Sequence, residues 1–225
     1  MPPRRNKLIR SLFISREPED ATELSAFCQE QSIELIAHSL IRFEAIPFEI
    51  NQSYDVVFFA SIRTAEFFLK EVTPPATTLY ACIGARTAEK LKIRGINCHF
   101  IGDQSGQPEK VAEDFKKWVW DRTVLFPQST RSHRSIVSQL DPAQCIEVPV
   151  YETLPDCKPV CDCDAYVFSS PSNLESFLSC NDLPTGKIIA WGETTRKAAI
   201  KKGLNIHSTL SQSDDAELIS ILRSI

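Results

Sequence analysis

The feature that most limits how this chain of 225 residues can fold is a duplication inside it. Asp55-Val-Val-Phe-Phe-Ala-Ser61 lines up with Asp164-Ala-Tyr-Val-Phe-Ser-Ser170, an offset of 109 residues (55 to 164). The match runs on through Glu66 with Glu175, Phe68 with Phe177 and Leu69 with Leu178. A second block follows at an offset of 108 (84 to 192), pairing Gly84, Thr87, Gly95 and Asn97 with Gly192, Thr195, Gly203 and Asn205. Each copy reads strand, helix, strand, Gly-x-x-Thr, helix, Gly, strand. Short apolar runs alternating with helical periodicity argue for parallel sheets covered on both faces.

The repeat also dictates the threading. Strand patterns fall at Leu12 to Ile14, Ile33 to Ala37, Val56 to Phe59, Leu79 to Ile83, Cys98 to Ile101, Val124 to Phe126 and Cys145 to Tyr151. Helical patterns fall at Ala21 to Gln31, Arg63 to Lys70, Arg86 to Arg94, Pro108 to Trp120 and Arg134 to Leu140. The first strand–helix–strand is too short to stand alone, and the final block lacks the pair it would supply. The expected fold is therefore α/β: two similar parallel-sheet, three-layer (flavodoxin-like) domains joined by a two-stranded hinge, one domain discontinuous. Domain one takes 1–39 plus 154–225 and domain two, inserted, takes 45–148. The linker strands are 40–46 and 148–154, both alternating in polarity as an exposed antiparallel pair would.

A formal net charge of −4 gives no basic field to attract nucleic acid. No apolar run approaches the roughly 20 residues that span a bilayer. The basic start at Met1 to Lys7 is followed by a short apolar stretch broken by Arg10, which does not read as a signal peptide. These features predict a cytoplasmic protein with no membrane or nucleic-acid partner and no need to oligomerise beyond a monomer. Of the eight cysteines, five lie in or beside apolar segments, as buried reduced thiols do. Cys157, Cys161 and Cys163 fit no common metal spacing and read as a surface loop, so no metal is expected.

Ligands of open parallel sheets bind beyond the carboxyl ends of the strands. Four turns qualify: 60–63, 84–87, 169–173 and 192–195. Each joins small or hydroxylated residues to a helix start, whose unpaired N–H groups suit carboxylates or phosphates. The candidate contacts are Ser61, Thr87, Ser170, Thr194 and Thr195, with Arg16, Arg63, Arg86 and Arg131 as charge partners. His133, beside Arg131 and Arg134, reads as structural. No dinucleotide or P-loop fingerprint, zinc motif or nucleophile elbow occurs.

Taken in order, these segments resemble the uroporphyrinogen-III synthases. Asp164-Ala-Tyr-Val-Phe-Ser-Ser-Pro-Ser-Asn173 looks like their strand–turn–helix, and Ile83-Gly-Ala-Arg-Thr87 and Trp191-Gly-Glu-Thr-Thr195 are similar to their Ile-Gly-x-x-Thr helix. Val148-Pro-Val-Tyr-Glu-Thr153 resembles the hinge strand, Leu125-Phe-Pro-Gln128 with Arg131 the segment before it, and Ile14-Ser-Arg16 the opening strand. Ile62 stands where the family often has proline, and Trp191 where an aliphatic residue is usual.

The resemblance implies an enzyme without cofactors that takes hydroxymethylbilane, removes water from its hydroxymethyl end, inverts the terminal pyrrole ring and closes the macrocycle. That substrate carries eight carboxylates and closes unaided to the wrong isomer, so control of geometry is the task. The resemblance makes Tyr151 the general acid that helps the hydroxyl leave, since it matches the family's hinge tyrosine and a phenol can donate a proton or a hydrogen bond. Two other classes compete: a non-catalytic two-lobed small-anion-binding regulatory protein, and a flavodoxin-like flavin protein, which would be yellow.

Overall fold

The computed structural model describes residues 9–103, 107–132, 134–212 and 214–225. His133 and the basic start at Met1 to Lys7 lie outside them. The chain divides into two compact units. Unit 1 is Met1–Arg42 with Leu154–Ile225, and unit 2 is Phe43–Thr153.

Unit 1 opens with β1 (Ser11–Ile14), α1 (Thr22–Glu30) and β2 (Glu34–Ala37). β3 (Ile41–Ala45) then leads into unit 2. There follow β4 (Val56–Phe59), α2 (Ile62–Glu71), β5 (Leu79–Cys82), α3 (Ala85–Ile93), β6 (Phe100–Ile101), α4 (Pro108–Val119), β7 (Val124–Ser129) and β8 (Cys145–Pro155). The chain then completes unit 1 with β9 (Ala165–Phe168), α5 (Pro171–Cys180), β10 (Lys187–Ala190), α6 (Glu193–Lys201), β11 (Ile206–Thr209) and α7 (Asp215–Ser224).

Unit 1 carries a five-stranded sheet in the order β11-β10-β9-β1-β2, its neighbours paired in parallel. Successive side chains of a strand point to opposite faces, and both faces here are apolar. Leu12 and Ile14 meet Leu24 of α1 and Leu218 of α7, while Phe13 meets Leu174 and Phe177 of α5 and Ala199 of α6. Unit 2 repeats this logic on a six-stranded sheet ordered β3-β8-β7-β4-β5-β6. Val56 and Phe58 face Phe115 of α4, and Val57 and Phe59 face Phe68 of α2 and Leu91 of α3.

The duplicated glycines have a definite task. Gly95 and Gly203 have φ of +81° and +78°, the left-handed region that favours glycine. Each ends its helix with the same pair of bonds. Gly95 N–H donates to Lys92 and Ile96 N–H to Leu91, as Gly203 donates to Ile200 and Leu204 to Ala199. This is a Schellman ending, written twice in the sequence.

Two expectations need correction. Residues 134–140 form no α-helix: Arg134 has φ +55°, outside helical space, and only the 3₁₀ turn Val137–Gln139 follows. The spacing of Ile136, Val137 and Leu140 that suggests a helix face is instead met by a turn that still buries all three. Residues 148–154 continue the eleven-residue β8, which pairs in parallel with β7 as far as Ser129 opposite Tyr151. Cys180, expected as a reduced thiol, forms a disulfide with Cys157.

Candidate functional site

The four helix starts singled out by the repeat lie at the carboxyl ends of β4, β5, β9 and β10. In unit 2, Ser61 caps α2: its backbone is extended and its Oγ accepts from Thr64 N–H at 3.2 Å. Gly84 begins α3 with no side-chain cap. Because β4 pairs with β5 (Phe59 beside Cys82), these two starts are neighbours, and the structure brings Ser61 and the half-buried Thr87 to one edge. β7 lies on the other side of β4, and Arg131 follows its end.

Unit 1 is built alike. Ser170 caps α5, its Oγ accepting from Asn173 N–H at 3.2 Å. Pro171 sits at the first helical position, where a missing N–H costs nothing. Gly192 starts α6, and β9 pairs with β10 (Phe168 beside Ala190), so the Ser170 and Thr194 turns are neighbours. Thr194 is exposed, whereas Thr195 is 4% exposed and belongs to the packed underside of α6.

Arg16 follows β1, the other neighbour of β9. Its guanidinium lies 4.5 Å from the centre of the Trp191 ring and makes a 2.7 Å ion pair with Asp215. Trp191, standing where an aliphatic residue is usual, is thus a platform for Arg16, an arrangement that favours the planar guanidinium over lysine. Sequence reasoning missed Asp215, which lies 199 residues further on.

Tyr151 sits in β8 with its residue 7% exposed. Phe67 of α2 stacks on its ring at 4.9 Å and Phe43 of β3 meets it edge-on at 5.9 Å. Arg63 in turn lies 3.6 Å above Phe43. The α2 start, the edge strand β3 and Tyr151 are therefore one aromatic stack. Beneath the Gly84 turn, Cys82 and Cys98 share a hydrogen bond that holds the Cys82 thiol below its ordinary pKa and pushes Cys98 up. At the start of α6, the charge-assisted bonds from Arg196 to Glu193, at 2.7 and 2.8 Å, hold that carboxyl below its usual range.

Each unit thus presents capped and uncapped helix starts side by side at the carboxyl edge of a parallel sheet, in the manner of α/β proteins that bind anionic small molecules. The family model for uroporphyrinogen-III synthase HemD matches residues 22–220, and the chain belongs to that family. It is a lyase of tetrapyrrole biosynthesis.

Solved structures agree in fold. The chain is similar to uroporphyrinogen-III synthetase from Helicobacter pylori 26695, with a TM-score of 0.71 at 13% identity over 96% of this chain and 99% of that one. It is also similar to a mutant uroporphyrinogen III synthase from the extreme thermophile Thermus thermophilus, with a TM-score of 0.56 at 13% identity over 95% and 96%. No curated protein matches it by sequence. No helix of the described residues is long and apolar enough to cross a membrane.

Proposed function

We propose that the chain closes hydroxymethylbilane with loss of water and inversion of the terminal pyrrole ring, and that the helix starts of each unit bind substrate carboxylates. Unit 2 contributes Ser61, Thr87 and Arg131, and unit 1 contributes Arg16, Ser170, Thr194 and the backbone of Thr195. The observation that carries this reading is the position of every one of these residues at the carboxyl edge of its own sheet. Backbone N–H groups there accept negative charge without a basic surface, which suits a chain whose net charge is −4.

In this reading the two units are flavodoxin-like domains, β3 and β8 form the hinge that joins them, and the enzyme works as a cytoplasmic monomer. Tyr151 is the general acid. Its phenolic proton passes to the hydroxymethyl oxygen, the C–O bond breaks, and water leaves as the pyrrole nitrogen lone pair stabilises the electrophilic carbon. The α-carbon of the terminal ring that already carries a methylene bridge then attacks that carbon, and the old bridge bond breaks to leave a cation stabilised by the neighbouring pyrrole nitrogen. The turned ring's free α-carbon closes onto that cation, and loss of a proton to the Tyr151 phenolate restores the aromatic ring. Phe67 and Phe43 fix the plane of the Tyr151 ring, so its hydroxyl has one direction in which to serve.

The test couples this protein to an enzymatic source of hydroxymethylbilane and separates the oxidised uroporphyrin isomers. Isomer III is expected in excess over the unaided reaction. Isomer I alone would remove the reading.

A further inference from the structure

The carboxamide of Asn173 is placed differently from its counterpart in the other unit. It sits in the first turn of α5 and its residue is only 4% exposed. Oδ1 accepts from Leu40 N–H at 2.7 Å and from the Ser39 hydroxyl at 3.4 Å. Nδ2 donates to Ser169 Oγ at 3.3 Å and to Ser170 Oγ at 3.1 Å, and the backbone N–H of Asn173 donates to Ser170 Oγ as well.

A serine hydroxyl has two acceptor sites and one donor hydrogen. Asn173 fills both acceptor sites of Ser170, so that hydroxyl has only donation left to offer. A group that can only donate selects a partner that can only accept, and an ionised carboxylate is such a partner. At the matching place in unit 2, Ser61 Oγ and Thr64 Oγ1 lie 2.9 Å apart and either can donate, so Ser61 has an acceptor for its own hydrogen inside the turn. The far end of the Asn173 carboxamide rests on a knot of its own. Leu40 C=O accepts from Asp156 N–H at 2.7 Å, and Lys158 Nζ reaches Ser39 C=O at 3.5 Å.

We propose that Asn173 is a positioning residue for the ring closure: braced on Ser39 and Leu40, it commits the Ser170 hydroxyl to donate to a substrate carboxylate. The inference rests on the reading of the Ser170 turn as a carboxylate site and names what gives that turn its selectivity.

The experiment measures kcat and KM for Ser170→Ala, Asn173→Thr, Asn173→Asp and the double variant Ser170→Ala/Asn173→Thr, with thermal melts alongside. Asn173→Asp keeps the acceptor for Leu40 N–H and so guards the fold, but it turns the Ser170 hydrogen inward. Ser170→Ala, Asn173→Thr and Asn173→Asp should each raise KM about tenfold, with kcat changed by no more than about twofold. The double variant should be no worse than Ser170→Ala, because both changes remove the same donation. If Ser170→Ala leaves KM unchanged, the turn is not a carboxylate site and the reading beneath the inference fails. If Ser170→Ala raises KM but the folded Asn173 variants do not, or if the losses multiply in the double variant, the turn stands and the role of Asn173 is overturned.

Discussion

Three residues after the capping serine, unit 2 has the buried hydroxyl of Thr64 and unit 1 the buried carboxamide of Asn173. Thr64 closes the Ser61 turn on itself, whereas Asn173 ties the Ser170 turn to a segment 133 residues earlier in the chain. The arginines differ in the same sense. Arg16 of unit 1 is held by a carboxylate and an aromatic ring, Asp215 and Trp191, while the exposed Arg63 of unit 2 lies over Phe43 in the stack that ends on Tyr151. Duplication supplied two equal scaffolds. In unit 1 the capping turn is braced from a distant segment, and in unit 2 the turn is self-contained beside the Tyr151 stack.

The largest effect should come from the feature that unit 1 lacks altogether. Tyr151→Phe keeps the ring between Phe67 and Phe43 and removes only the hydroxyl. Turnover should fall about 100-fold, the lower range for a lost general acid. It should not vanish, because the substrate closes unaided, and isomer I should grow as the enzyme slows. Initial rates with isomer analysis decide it. Turnover at the unaltered rate would reduce Tyr151 to a packing residue.

Exchanging the two third residues tests whether the turns are interchangeable. Thr64→Asn puts a larger carboxamide at a site that is 3% exposed and shaped to a threonine, and should cost about 2 kcal/mol in urea unfolding. Removing either cap, by Ser61→Ala or Ser170→Ala, should cost about 1 kcal/mol of stability each. If Thr64→Asn is neutral, the turns are equivalent and the contrast is lost.

The parts that could be read from the sequence are those where local pattern and tertiary role coincide. Val56–Phe59 is an unbroken apolar strand because both faces are covered, and the paired glycines mark helix ends because the left-handed region favours glycine. The site was legible as far as the turns, since a capping serine is a local device. Its partners were not. Nothing near Arg16 points to Asp215, and nothing near Asn173 points to Leu40, because such bonds are set by strand order rather than by spacing. β8 runs on to Pro155 although Pro149 and Pro155 weaken the strand pattern. The apolar spacing at 136–140 imitates a helix, but the backbone turns extended at Leu140 and leaves a single 3₁₀ turn.

A smaller effect is expected at the platform beneath Arg16. Trp191→Leu restores the aliphatic side chain usual in the family and removes the ring face under the guanidinium. Asp215 still holds the arginine, so the loss should be about 0.5–1 kcal/mol, a two- to fivefold rise in KM if Arg16 meets a carboxylate. An unchanged KM would place Arg16 in the scaffold alone.

The smallest and most local effect concerns pH, and it too should separate the units. His38 precedes the Ser39–Leu40 knot of unit 1, its ring edge-on to Phe13 at 5.4 Å and its Nε2 buried without a hydrogen bond. Burial holds its pKa below the ordinary 6.5, with Lys158 acting in the same direction and Glu17 and Asp156 opposing. A histidine with a depressed folded pKa binds its proton more readily when unfolded, so the stability it contributes is present above 6.5 and is lost as pH falls below it. Exchange of the Leu40 amide, which Asn173 protects, should therefore quicken relative to exchange across β4 as pH drops from about 7.5 to about 5, once the intrinsic pH dependence is removed. His38→Leu should flatten that difference. If the two regions track each other at every pH, the knot is no more sensitive to protons than the self-contained turn of unit 2, and His38 adds nothing to the contrast between them.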